Sequence, residues 1–194
     1  MSFLSHFYDA AKSGNTQTLS RFMDMHTVEE RSQALKMAAL YNQSECVKLL
    51  IPFSDPLIGN SEALRWAANS GSTECVQLLI AVSDTNAGKE TALELAARKG
   101  HTECVQLLIG VSDPKAHNSM ALEYALEYGH FECADLLFEV SEPERVLTKM
   151  KLHRGKETWA YLEGKIQTQQ AYAQRVVLER EIIATQSRTS IRKL

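Results

Sequence analysis

Four cysteines, Cys46, Cys75, Cys104 and Cys133, carry the most reactive chemistry in this chain, and each falls 29 residues after the one before. A disulfide needs two Cα atoms within about 7 Å. A structural zinc needs four ligands around one point. The fixed period argues against both. It places each cysteine at the same position in a different copy of a repeated unit, with neighbours about 9–10 Å apart, the spacing of packed helices. No Cys-x-x-Cys occurs, so small buried apolar residues are expected, and neither a metal nor a cofactor is implied. His101, His130, Ser112 and Asp113 have the letters of a hydrolytic triad. Their positions repeat or vary with the unit, which makes them punctuation. Gly-x-Ser-x-Gly, a phosphate-cradling glycine loop and His-Glu-x-x-His are missing. No catalytic residue is assigned, and a protein without enzymatic activity is expected.

The elements that hold these residues emerge when the chain is aligned on the cysteines. The third copy runs Ser61-Glu62-Ala63-Leu64-Arg65-Trp66-Ala67-Ala68-Asn69-Ser70-Gly71 and continues Ser72-Thr73-Glu74-Cys75-Val76-Gln77-Leu78-Leu79-Ile80. Its counterparts begin near Ala34, Thr91 and Met120, and a diverged first copy runs from His6 to Gly14. Each copy reads as two helices. The first is short and rich in Ala and Leu, and Gly14, Asn42, Gly71, Gly100 and Gly129 end it, being residues that accept a left-handed backbone. Glu45, Glu74, Glu103 and Glu132 then suit the dipole of the second helix's first turn. In that helix Cys75, Val76, Leu78, Leu79 and Ile80 cover well over half the circumference, which predicts burial front and back. It is expected to run to Ser54-Asp55-Pro56 and its relatives, since proline cannot continue a helix. One such unit cannot stand alone; about three must stack, and five are present.

The stretch Thr91-Ala92-Leu93-Glu94-Leu95-Ala96-Ala97-Arg98-Lys99-Gly100-His101-Thr102-Glu103-Cys104-Val105-Gln106-Leu107-Leu108-Ile109 resembles an ankyrin repeat. The family pattern is Thr-Pro-Leu-His-x-Ala-Ala-x-x-Gly-His-x-x-Val-Val-x-Leu-Leu-Leu. The resemblance covers about residues 5–142. It departs from the pattern in two ways: Pro and His of the opening tetrad are absent, Ala92 and Glu94 standing there in the fourth copy, and the period is 29 rather than about 33. The resemblance implies an all-α solenoid of stacked helix-turn-helix repeats, with truncated hairpin loops and a C-terminal helical extension. The expected copies are about 1–29, 30–58, 59–87, 88–116 and 117–142. A capping helix and linker should follow over 143–155, and a long helix with a basic tail over 156–194.

The same resemblance implies a binding surface. Ankyrin proteins use the residues before the glycine of each first helix and the preceding loop. Here these are Lys12 and Ser13, Leu40 and Tyr41, Asn69 and Ser70, Arg98 and Lys99, and Glu127 and Tyr128. Arg65, Trp66, Glu94 and Tyr124 lie one turn earlier and share that face. Tyr, Trp and Arg are favoured at interface hot spots, so Tyr41, Trp66, Tyr124 and Tyr128 are expected to line a groove. The competing reading packs Trp66 and Tyr124 between repeats or under the C-terminal helix.

Residues 1–142 hold 10 Lys and Arg against 19 Asp and Glu, and residues 143–194 hold 11 against 5, so a body of −9 carries a segment of +6. Lys149, Lys151, His153, Arg154 and Lys156 form a basic cluster, expected to pair with the acidic body. From Lys156 to about Gln186, Trp159, Leu162, Ile166, Ala173, Val176 and Ile183 follow a 3-4 spacing, with Gln169 and Arg180 as the polar members. This is a heptad-like seam on a rod of about 45 Å. It suits the helix's own stack, a second copy or a partner's groove. The first residues lack the basic start and apolar core of a secretory signal, and no apolar run reaches the roughly 20 residues that span a bilayer. A cytoplasmic protein with reduced thiols, off the membrane, is expected.

The function that the resemblance implies is protein–protein interaction: a non-catalytic module that binds a protein partner through the first-helix face and inhibits, neutralises or recruits it. Two alternatives use other features. The acidic body could mimic DNA, or the basic tail bind nucleic acid, in a nuclease or DNA-binding system. Self-association through 156–186 would make the chain a homodimeric scaffold.

Overall fold

A computed structural model describes residues 3–153 and, beyond them, 160–161, 163–168, 170–171 and 174–175. The chain forms two compact units, Met1–Glu142 and Pro143–Leu194.

Helices of the first unit come in pairs. They are α1 (Phe3–Ser13) with α2 (Thr16–Phe22), α3 (Val28–Leu40) with α4 (Ser44–Leu50), α5 (Ile58–Ser70) with α6 (Thr73–Ile80), α7 (Ala92–Lys99) with α8 (Thr102–Ile109), and α9 (Ala116–Glu127) with α10 (Phe131–Phe138). First helices pack on first helices and second on second, giving two layers. The described residues contain no strand, and between α6 and α7 the chain makes only turns and bends. The architecture is an all-α solenoid with the hairpins cut short.

The ends of the first helices show why the period is so strict. Gly14, Asn42, Gly71, Gly100 and Gly129 have φ of 78°, 57°, 72°, 75° and 75°. The next residue in each copy returns its N–H to an alanine carbonyl five back: Asn15 to Ala10, Gln43 to Ala38, Ser72 to Ala67, His101 to Ala96 and His130 to Ala125, at 2.8–3.0 Å. This left-handed closure satisfies carbonyls that the helix itself leaves open. It also turns the chain straight into the second helix.

Alanines let the first layer close up. Ala38, Ala39, Ala67, Ala68, Ala96, Ala97 and Ala125 are fully buried. Between the layers lie Leu35, Leu64, Leu93 and Leu122 from the first helices, and Leu50, Leu79, Leu108 and Leu137 from the second. Each such leucine contributes about 1.5–3 kcal/mol. In α6 and α8 the residues buried outright are Cys75, Val76 and Leu79, and Cys104, Val105 and Leu108. Leu78, Ile80, Leu107 and Ile109 are half-buried. The second helix is thus buried on one side rather than front and back, because a two-layer stack leaves its outer side without a neighbour. It also stops earlier than Ser-Asp-Pro: α4 tightens into a 3-10 turn, Ile51–Phe53, at Pro52, whose missing N–H cannot continue the ladder.

A repeated latch closes three of the connections. Ser32 Oγ accepts from the Asp55 N–H at 2.9 Å, Ser61 Oγ from Asp84 at 2.8 Å, and Ser119 Oγ from Glu142 at 3.0 Å. Asp55, Asp84 and Asp113 each accept from the N–H two residues on, at 2.9–3.0 Å. Asp113 is therefore structural punctuation. In the fourth copy Glu90 replaces the serine, and Asn86 Oδ1 takes over the Asp113 N–H at 2.8 Å.

In the second unit α11 (Pro143–His153) begins on proline, which suits the first helical position. The described residues between 160 and 175 are helical. Of the heptad-like seam only Ile166 is described; Trp159, Leu162, Gln169, Ala173, Val176, Arg180 and Ile183 lie outside the described residues, as do Arg154, Lys156 and the tail from Ser187. Among the described residues no helix is long and apolar enough to cross a membrane.

Candidate partner-binding face

Helix α5 presents Glu62, Arg65, Trp66 and Asn69 within two turns. Together with Glu90 from the following connection and Leu95 and Arg98 from α7, they line a cup of about 190 Å³. Glu90, which stands outside the serine latch, forms one wall of the cup. Arg98 Nη1 donates to Glu90 Oε1 at 2.6 Å, and the Tyr124 hydroxyl donates to the same oxygen at 3.1 Å. The Arg98 guanidinium also stands 5.7 Å from the centroid of the Tyr124 ring, within cation–π range. Burial first, and then the Glu90 carboxylate that accepts its hydrogen bond, push the Tyr124 hydroxyl above its ordinary pKa.

The other carboxylate is equally committed. Glu62 Oε1 accepts from Trp66 Nε1 at 3.3 Å, and Glu62 Oε2 pairs with Lys36 at 3.2 Å. Arg65 is held differently. Its Nε donates to the Glu90 carbonyl at 2.9 Å, and its guanidinium lies where a side chain on Gly88 would begin. A Cβ there would meet Arg65 Cζ at 2.9 Å, and Gly88 has φ +93°. Glycine serves both needs, the left-handed backbone and the close approach.

The structure thus gathers Arg65, Trp66, Asn69 and Arg98 around one cup and ties Tyr124 to it through Glu90. Trp66 is 38% exposed, so it is a wall of the cup and not an inter-repeat filler. Tyr128 caps α9, 54% exposed, with its ring 6.5 Å from that of Tyr124. Tyr41 follows α3 and is 51% exposed, but it does not line the cup. Lys99 is exposed and Glu127 half-buried, and neither lines it.

Glu94 is placed otherwise than the surface expectation has it. It is 2% exposed. Its carboxylate accepts the Thr91 N–H at 2.9 Å and faces His117 Nδ1 at 2.7 Å, while Thr91 Oγ1 accepts from the Glu94 N–H at 3.2 Å. This is a capping box, so the side chain is spent on starting α7.

Sequence reasoning passes over Glu62, Glu90 and Gly88. The signal for Glu90 is a break in the 29-residue register, a glutamate where Ser32, Ser61 and Ser119 stand.

All four cysteines are fully buried free thiols. Burial is the largest cause raising each thiol pKa, that of Cys75 to about 11. His101 and His130 bind repeats together: each Nε2 donates to a carbonyl of the preceding copy, Asn69 and Arg98 respectively, both at 3.1 Å. These bonds fix the ends of α5 and α7, where two cup residues sit. Among the described residues no group of three or more His, Cys, Asp and Glu could hold a metal ion.

Comparison with curated proteins gives no match. A family model described as ankyrin repeats (3 copies) matches residues 7–87 and, in an overlapping second match, residues 64–146. The match spans well over half of the chain and coincides with the paired helices, their left-handed closures and the short connections. Such repeats are general modules of protein–protein interaction and are typically non-catalytic. The chain belongs to the ankyrin-repeat family.

Proposed function

We propose that the chain is a binding protein without chemistry of its own, which holds a polypeptide partner on the first-helix face of α5, α7 and α9 and thereby inhibits, neutralises or recruits it. The observation that carries this reading is the cup. Its exposed indole is oriented by Glu62, and its arginines are oriented by Glu90 and Gly88, before any partner arrives. Side chains already fixed lose little entropy on binding. Tyr41 and Tyr128, both exposed, end α3 and α9 in the same layer of first helices. The acidic-mimic alternative gains nothing from Glu94, whose carboxylate is buried in a helix cap.

The test is affinity capture from the cell that makes the protein, with the full chain compared against a Trp66→Ala, Arg98→Ala double variant. A specific protein should be retained by the first and lost by the second, with unchanged helicity by circular dichroism. Retention of the same proteins by the double variant would show that the partner binds elsewhere.

A further inference from the structure

The proposed face leaves one strong group unspent, and that group indicates what the partner must bring. Both carboxylates of the cup are engaged: Glu62 with Lys36 and the Trp66 indole, Glu90 with Arg98 and Tyr124. Arg98 is neutralised by Glu90 at 2.6 Å. Arg65 has no such partner: among the described residues no carboxylate forms an ion pair with it, and its bond is from Nε to a backbone carbonyl. That bond and the Gly88 backbone against its plane hold the guanidinium still and leave its two terminal nitrogens for a ligand. A fork of parallel N–H groups fits a carboxylate, two bonds at once. The neighbouring Asn69 adds an amide, and Trp66 adds an exposed apolar wall.

We infer that this cup binds a carboxylate of the partner polypeptide, Arg65 taking its oxygens and Trp66 covering the carbons beside it. The inference rests on the reading of this face as the binding surface and deepens it: the partner presents an acidic residue or its own C-terminus, next to an apolar side chain. Arg65 and Arg98 against Glu62 and Glu90 leave the lining of the cup without net negative charge, on a body that is otherwise strongly acidic. Local complementarity of this kind steers one segment of a partner into register.

Three short peptides test it against the full chain: acetyl-Leu-Glu-amide, acetyl-Leu-Leu with a free C-terminus, and acetyl-Leu-Gln-amide. The readout is the Trp66 indole N–H resonance, assigned with Trp66→Phe. At least one acidic peptide should shift it saturably in the millimolar range, at least about fivefold more tightly than the glutamine peptide, and Arg65→Gln should abolish that difference. Which acidic peptide wins tells a side-chain carboxylate from a chain terminus. Equal binding of all three peptides, binding of none, or undiminished discrimination by Arg65→Gln would overturn the inference. If partner capture still depended on Trp66 and Arg98 in that event, the face would stand and only its ligand chemistry would fall.

Discussion

Arg98 and Glu90 stand eight residues apart, on opposite sides of the turn that starts α7, and their side chains meet at 2.6 Å. Glu90 can do this because Asn86 has taken over the hydrogen bond that its serine counterparts make. One substitution in the register thus changes a structural latch into the organising residue of a surface.

Glu90→Gln should loosen Arg98 and Tyr124 together. The pair is about 30% exposed on one side chain and 26% on the other, so the stability loss should be only about 0.5–1 kcal/mol. The clearer readout is Tyr124, whose hydroxyl is raised by burial and then by Glu90. In the variant it should titrate lower, nearer the ordinary 10.0, as followed by ultraviolet difference spectra against Tyr124→Phe. An unmoved titration would mean that Glu90 does not hold that hydroxyl in solution.

Glu94→Ala should cost about 1–3 kcal/mol, since it strips the α7 cap and leaves a buried N–H without its acceptor. Exposed Lys99→Ala, five residues on, should stay within about 0.5 kcal/mol of the parent. Urea denaturation of both variants makes the comparison. Equal, small losses would put Glu94 back at the surface.

Glycine replacements should rank by what lies beyond the missing side chain. At Gly100 (φ +75°) a Cβ would fall 2.5 Å from His130 Nδ1, and at Gly71 (φ +72°) 2.6 Å from His101 Nδ1. At Gly129 (φ +75°) it would meet nothing within 4 Å. Gly129→Ala should cost only the backbone penalty, about 1–2 kcal/mol. Gly100→Ala should add about 1–3 kcal/mol for displacing the histidine ring. Melting temperatures in the order parent, Gly129→Ala, Gly100→Ala are expected, and coincidence of the two variants would refute the inter-repeat role of His130.

The buried thiols should lower stability at alkaline pH. A folded-state pKa raised above the unfolded value gives stability that is intact below the unfolded pKa and lost as pH rises through the folded one. For Cys75 that window runs from about 9 to about 11. Melting temperature should fall across it, less steeply in Cys75→Ala. At neutral pH a disulfide-exchange reagent should label the four thiols only as fast as the chain opens. Rapid labelling of folded protein would contradict their burial.

Much of the fold could be read from the sequence because stacking imposes the same demands on every copy. The 29-residue register, the glycine or asparagine closures and the cysteine–valine–leucine stripe each follow from one unit packing on the next. So does the identification of His101, His130 and Asp113 as punctuation. The family resemblance also put Arg65, Trp66, Asn69, Arg98 and Tyr124 on one face, and the first four of these line the cup.

Tertiary structure alone decided which of those side chains are available. Glu94 and Arg98 are both polar residues of one short helix, yet one is buried in a cap and the other lines the cup. Arg65 and Arg98 are the same residue type on neighbouring helices, yet among the described residues only Arg98 finds a carboxylate. The sequence determines the repeat because its contacts recur at a fixed interval and leave a periodic trace. It does not reveal the cup, because Glu90 meets Tyr124 across 34 positions through contacts made once, by side chains whose reach and pairing depend on where neighbouring repeats come to rest.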